Sequence, residues 1–291
     1  MIEAALIAAG TVAAGGALRW AVHRGFRPPA MAETTTPEAF GRPYRRVRVP
    51  TANGKTLFGW LLPGRSGVPA IVMMHGWGAN ADTLLPLAAP LARAGHTVLL
   101  IDARSHGRSD ADTFSSMPRF AEDIEAAIAW LAASPEFAPR GIAVFGHSVG
   151  AAAALLVASR RDDVAAAISL SAFDHPERVM RRQLNQAHIP YWPFGWLVCR
   201  YVERVIGHSF DDIAPINTVA RVRCPVLIGH GADDTVVPCQ AAIAIHARAG
   251  ANARILILDD VGHEGPSSFD HVAGLLGNFL ADALAEQTGS A

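Results

Sequence analysis

Apolar and polar positions along the chain fall into distinct patterns. Tyr44 to Pro63, "YRRVRVPTANGKTLFGWLLP", alternates apolar and polar residues on both sides of Asn53-Gly54. Alternation is the period of a half-buried strand, and Asn-Gly suits the left-handed backbone of a tight hairpin turn. The pattern predicts two antiparallel strands, at 44–50 and 56–62.

From Pro69 onward the alternation gives way to short continuous apolar runs: "PAIVMMHG", "HTVLLID", "GIAVFGH", "VAAAISLS", "CPVLIGHG" and "ARILILDD". Runs of this length fit strands buried on both faces. Helical patterns fill the intervals, at 82–94, 118–133, 149–160, 239–249 and 267–285. Such alternation predicts an α/β fold: a mostly parallel central sheet flanked by helices and joined by right-handed crossovers.

Asp174 to Arg223 breaks the alternation. No buried-strand run occurs there, and Tyr191, Trp192, Phe194, Trp196 and Tyr201 crowd together among arginines at helical spacing. The stretch is too long for an ordinary connection and reads as a helical cap over the sheet's carboxyl edge. Its aromatics are either the cap's own core or the lining of a pocket. The expected organisation is an apolar N-terminal helix at 1–29, a linker at 30–43, a core at 44–173 and 224–291, and the cap at 174–223.

The N-terminal run from Ala4 to Leu18 carries no charge and consists mostly of Ala and Gly; Arg19, His23, Arg24 and Arg27 follow. It is shorter than the roughly 20 residues a bilayer-spanning helix needs, and counting on through Val22 includes Arg19. Residues 4–22 fit a membrane anchor or membrane-surface helix, a helix packed on the body, or a self-association element. Glu3 ahead of the run suits a cleaved signal peptide poorly. If the run spans, the arginines behind it would hold the main domain in the cytoplasm, the expected location.

Composition excludes several classes. A chain of 291 residues with 51% hydrophobic content suits one large domain or one domain with an insertion. Its 25 basic residues against 26 acidic ones leave no basic field for nucleic acid. Cys199, Cys224 and Cys239 are too few for a disulfide framework and lack metal-site spacing, so they read as reduced thiols.

Parallel sheets gather ligands at the carboxyl ends of their strands. After "AVF" comes Gly146-His147-Ser148-Val149-Gly150, and a helical pattern begins at once. This is G-x-S-x-G in a strand-turn-helix setting, where a tight turn presents the serine and the glycines give clearance to close backbones. A serine hydroxyl needs a base. Among 12 histidines, His263 follows the last strand in a Gly-flanked loop; His246 and His271 fall in helical patterns, and His75 and His230 precede glycines at strand ends and read as loop structure. The base in turn needs an acid. Asp233 and Asp234 follow the penultimate strand, Asp174 is a positional rival, and Asp259 and Asp260 fit loop solvation. Ser148, Asp234, His263 is the Ser…Asp…His order of the nucleophile-elbow motif. The expected oxyanion donors are the backbone N–H groups of Val149, at a helix N-terminus, and Trp77, in the "HGWGAN" loop.

The stretches "MMHGWGAN", "LLIDARSHGRSD", "VFGHSVGAAAAL", "CPVLIGHGADDTVVP" and "LDDVGHEG" resemble the α/β-hydrolase superfamily, in its serine esterase and lysophospholipase-like branch. The resemblance runs from Tyr44 to Leu284. In that family "HG", two residues and then Asp, with Val-Pro behind, mark the acid, which implies Asp234 with Asp233 as its neighbour. Asp102 to Ser109 looks like the family's D-x-R-x-H-G-x-S loop, whose Arg104 and His106 would tie loops together. The resemblance implies a Ser148–His263–Asp234 triad cleaving carboxylic esters through an acyl-enzyme, with no metal or cofactor. The same triad would serve an amide, peptide or thioester. The aromatic cap points to a hydrophobic or lipid-like small-molecule ester, with His147, Tyr191, Trp192, Phe194 and Trp196 as candidate substrate contacts. A non-catalytic, membrane-tethered binding protein is the contrasting possibility.

Overall fold

The computed structural model describes residues 15–16, 19–20, 22–134, 141–263 and 269–288, of which 269–271 and 284–288 by backbone only. The hairpin forms as the alternation predicts: β1 (Arg45–Thr51) and β2 (Lys55–Leu62) are antiparallel, with Val49 opposite Leu57. Asn53 and Gly54 take φ of 61° and 64°, the left-handed backbone that a turn between these strands requires. Arginines and Pro50 on β1 suit its place at the sheet's edge, where a missing N–H costs nothing and charge discourages pairing with another chain.

The continuous apolar runs become β3 (Ala70–Met74), β4 (Thr97–Ile101), β5 (Ile142–His147), β6 (Val164–Leu170), β7 (Val226–Gly231) and β8 (Ala253–Leu258). The sheet order is β1-β2-β4-β3-β5-β6-β7-β8. Only the β1–β2 and β2–β4 pairings are antiparallel; the rest are parallel. Side chains alternate through the sheet: Val72 and Met74 join one apolar cluster, Ile71 and Met73 the other. Helices α1 (Leu85–Ala94), α2 (Met117–Ala132) and α3 (Val149–Ala158) cover its faces, with α2 and α3 in the first cluster and α1 in the second. One run departs from the double-burial expectation. In β8, Ile255 and Ile257 are each 37% exposed, because the strand ends the sheet and has a neighbour on one side only.

Residues 174–223 carry no strand, only helices joined by turns. They hold α4 (Pro176–Gln186), α5 (Trp196–Ile206), α6 (Phe210–Ile213) and α7 (Pro215–Thr218). After β7 come α8 (Gln240–His246) and, past β8, α9 (Phe269–Thr288). The α8 helix is shorter than the 239–249 pattern because its end tightens into three-residue turns, Arg248 N–H to Ile245 and Ala249 N–H to His246.

The apolar run at 4–18 lies outside the described residues except at 15 and 16, and no helix among the described residues is long and apolar enough to cross a membrane. Past it, Val22 is buried in a third cluster with Leu184, Cys199, Val202 and Phe210 of the 174–223 segment, while His23 meets the Phe114 ring and the Phe26 carbonyl accepts Ser115 N–H at 3.0 Å. The following 30–43 stretch is tied down by hydrogen bonds. Asp82 Oδ2 accepts from Thr34 N–H at 2.6 Å and from Thr34 Oγ1 at 3.0 Å, and Glu33 pairs with Arg108 at 2.8 Å.

Candidate active site

The strand β5 runs directly into α3 through Ser148, whose φ of 54° and ψ of −116° are unusual for a residue with a side chain. Such a conformation costs on the order of 1–3 kcal/mol and persists only where the surroundings enforce it. Here the Ser148 N–H bonds to the Leu170 carbonyl at 2.9 Å, while its own carbonyl receives Ala151 and Ala152 N–H at the start of α3. The flanking glycines are steric necessities. A Cβ at Gly146 would collide with the Gly150 carbonyl, and a Cβ at Gly150 would strike the Met74 and His75 carbonyls.

Ser148, His263 and Asp234 come together from three strand ends. His263 Nε2 lies 3.1 Å from Ser148 Oγ, and His263 Nδ1 lies 2.7 Å from Asp234 Oδ2. The carboxylate can only accept from the ring, so it holds the proton on Nδ1 and leaves Nε2 free to accept from the serine hydroxyl. Asp234 is itself buried and aimed by the loop it begins: Oδ1 accepts Val236 N–H at 2.9 Å and Val237 N–H at 2.7 Å. The Asp233 N–H to Val261 carbonyl bond, 3.0 Å, fastens this loop to the one that carries His263. The rival Asp174 is occupied elsewhere, paired with Arg178, and Asp233, Asp259 and Asp260 are exposed.

The two expected oxyanion donors come from the start of α3 and from the loop after β3. Val149 is the first residue of α3, so its N–H has no acceptor within the helix. Trp77 N–H has no hydrogen-bond acceptor among the described residues. The loop holding Trp77 passes close to the nucleophile: a Cβ on Gly76 would sit 3.2 Å from both Ser148 Cβ and His147 Nδ1. His75 was read from sequence as loop structure, and it organises this turn. Its Nε2 accepts Ala103 N–H at 3.0 Å and its Nδ1–H donates to the Gly76 carbonyl at 2.7 Å. Complete burial pushes its pKa down to about 4, so the ring is neutral near pH 7.

His106 sits against His75, Trp77 and Phe120, with its pKa pushed down to about 3 by burial and then by His75. The loop from Asp102 to Ser109 ties its neighbours together. Asp102 accepts Ala81 and Arg108 N–H, each at 2.8 Å, and buried Arg104 donates from Nε to Asp123 at 2.7 Å.

His147, a candidate substrate contact, donates from Nε2 to the His263 carbonyl at 2.7 Å. Tyr191 packs in the cap cluster, and its hydroxyl bonds to Glu177. Trp192 is 71% exposed, Phe194 59% and Trp196 39%, with the two tryptophan rings in contact, so these three face outward and are neither a closed cap core nor a closed pocket wall. A second histidine that sequence order set aside, His230, lies fully buried with Nε2 3.2 Å from Asp234 Oδ2. A shared signal marks His75 and His230: each stands immediately before a glycine where a strand enters a loop of the site. Among the described residues, no cluster of three or more His, Cys, Asp or Glu side chains could hold a metal ion.

Residues 68–200 match the family described as serine aminopeptidase, S33. An uncharacterized protein of Mycobacterium tuberculosis is 30% identical over 242 residues, covering 82% of this chain and 77% of that protein. A polyketide transferase of Aspergillus fumigatus is 37% identical over 128 residues, covering 43% of this chain and 44% of its own length. Among solved structures, the esterase Pf2001 of Pyrococcus furiosus superposes with a TM-score of 0.71 at 20% identity, covering 89% of this chain and 99% of that one, a likeness of fold.

Proposed function

The chain belongs to the α/β-hydrolase superfamily, and from that premise we propose that it is a serine hydrolase that cleaves carboxylic esters through an acyl-enzyme. The observation that carries this reading is the line of hydrogen bonds from Asp234 through His263 to Ser148, 2.7 and 3.1 Å long. His263 Nε2 takes the hydroxyl proton as Ser148 Oγ attacks the ester carbonyl. The oxygen that becomes negative is received by the N–H groups of Val149 and Trp77, dipoles already in place before charge develops. His263, now an imidazolium held by Asp234, gives its proton to the departing alcohol. Water then enters, His263 deprotonates it, and the acyl group leaves Ser148 as a carboxylate.

A second reading keeps the same acyl-enzyme and changes what meets it, with a thioester as donor or a nucleophile other than water as acceptor. The similarity to a polyketide transferase favours it. The proposed substrates in either case carry hydrophobic or lipid-like acyl groups, supported by the large apolar content of the cap. Membrane association through residues 4–22 belongs to the same proposal. A chain beginning at Pro29 that partitions between membrane and soluble fractions as the full chain does would count against it.

The decisive experiment pairs a p-nitrophenyl ester series of increasing acyl length with a fluorophosphonate probe. Ser148→Ala is expected to abolish both turnover and labelling. A Ser148→Ala protein that still turns over the ester removes Ser148 as the nucleophile.

A further inference from the structure

Three hydrogen bonds hold the carboxylate of Asp234. Val236 and Val237 N–H fill Oδ1 at 2.9 and 2.7 Å, and His263 Nδ1 lies 2.7 Å from Oδ2. His230 Nε2 lies beside the same Oδ2 at 3.2 Å, a close contact outside hydrogen-bond geometry. The side chains of His230 and Asp234 are both 0% exposed. The hydrogen bond of His230 Nε2 goes to the Val237 carbonyl at 2.8 Å. A carbonyl can only accept, so Nε2 carries the proton. The other nitrogen, Nδ1, is buried without a hydrogen-bond partner among the described residues, which suits a bare lone pair and not a second N–H.

We propose that His230 is a positioning residue for the acid of the triad: its Nε2–H holds the Val237 carbonyl, and so fixes the turn whose Val236 and Val237 N–H groups grip Asp234 Oδ1 and set the carboxylate plane that orients His263. The inference rests on the serine-hydrolase reading above. Without this hold, the 236–237 turn loosens its two N–H bonds on Oδ1 and the carboxylate is free to turn about its Cβ–Cγ bond. The base then loses its alignment with Ser148.

Two substitutions separate donor from shape. His230→Phe keeps a ring and removes the N–H, while His230→Gln places an amide N–H close to where Nε2 stood. Rates on a p-nitrophenyl ester are normalised to active sites titrated with a fluorophosphonate, so that misfolded protein does not count. His230→Phe is expected to lose about tenfold in kcat with KM nearly unchanged. His230→Gln is expected to recover most of the loss. Should His230→Phe fail to accumulate, His230→Asn takes its place, since its shorter amide stops short of the Val237 carbonyl. A donor-less variant with wild-type kcat, or a Gln variant as impaired as the donor-less one, overturns the role of His230 alone. A wild-type protein that neither labels nor turns over any ester overturns the hydrolase reading, and this inference with it.

Discussion

His75 Nδ1–H donates to the Gly76 carbonyl at 2.7 Å, and that carbonyl shares a peptide plane with the N–H of Trp77. In a trans peptide the C=O and N–H point in opposite directions, so fixing one aims the other. The Ala103 N–H on His75 Nε2 sets the tautomer that makes this donation possible. His75→Phe should therefore lower kcat by about 10²-fold, the scale of losing one oxyanion donor, with a much smaller change in KM. His75→Asn, whose amide can donate from near the Nδ1 position, should recover part of the loss. Steady-state kinetics on a short ester check both. Equal kcat in His75→Phe and wild type would mean that the Gly76–Trp77 peptide needs no such support.

Two aspartates compete in sequence for the role of acid, and their partners separate them. Asp234 meets His263, whereas Asp174 meets Arg178 at the entrance to the cap. Asp234→Asn should reduce kcat by roughly 10⁴-fold by favouring the wrong histidine tautomer. Asp174→Asn should leave kcat within a few-fold of wild type. A reversed order of the two effects would move the acid to the end of β6.

Much of this arrangement was legible in the residue pattern. The Asn53-Gly54 hairpin, the five buried parallel runs and the strand-to-helix position of Ser148 follow from local periodicity and sterics. Ser148, Asp234 and His263 each follow a strand, so a parallel sheet gathers them at one edge whatever the details. The bracing histidines were not legible, because a buried imidazole is identified by its partners. The Ala103 N–H that fixes His75 and the Val237 carbonyl that fixes His230 are backbone groups, invisible as residue types. The outward face of Trp192 and Phe194 was equally hidden, since periodicity separates apolar from polar positions and does not say which apolar side finds a neighbour.

Acid should weaken the fold through His75 and His106. Burial lowers their pKa values to about 4 and about 3, against 6.5 for an ordinary histidine. Between those values the unfolded chain binds protons that the folded chain refuses. Their contribution to stability is therefore complete above about pH 6.5 and shrinks as pH falls, by about 1.4 kcal/mol per pH unit for each ring. Asp123 works in the opposite sense, since burial raises its carboxyl to about 6 against the pull of Arg104. The informative comparison is thus between wild type and His106→Phe, by urea unfolding at pH 7.5 and 5.0. The variant should lose less stability on acidification, by about 2 kcal/mol. Identical losses would mean that His106 takes up its proton without unfolding.

Gly146→Ala should be far more damaging than an ordinary surface substitution, because the new methyl group would overlap the Gly150 carbonyl in the first turn of α3. Backbone on both sides leaves no flexible side chain to yield. A loss of at least about 3 kcal/mol is expected, read as a lowered urea midpoint or as failure to accumulate folded protein. Gly274→Ala, where nothing lies within 4 Å, is the matched control in helix α9 and should be neutral or slightly stabilising.

Asp82 connects the N-terminal stretch to the site. Its Oδ2 receives the Thr34 N–H and hydroxyl, and a short distance along the same strap Pro29 packs on Gly78, in the loop that carries Trp77. Gly78 has φ of 74°, and a Cβ there would come within 2.7 Å of Pro29 Cγ, so ring and turn are closely fitted. Asp82→Ala leaves these donors without their acceptor and should release the strap from the body. Limited proteolysis is expected to cut between residues 27 and 43 at least several-fold faster than in wild type. Because Pro29 is then free to leave Gly78, kcat on a short ester should fall as well, while fluorophosphonate still reaches Ser148. Unchanged proteolysis would show that the contacts of Val22 with the cap, and not Asp82, hold the strap in place.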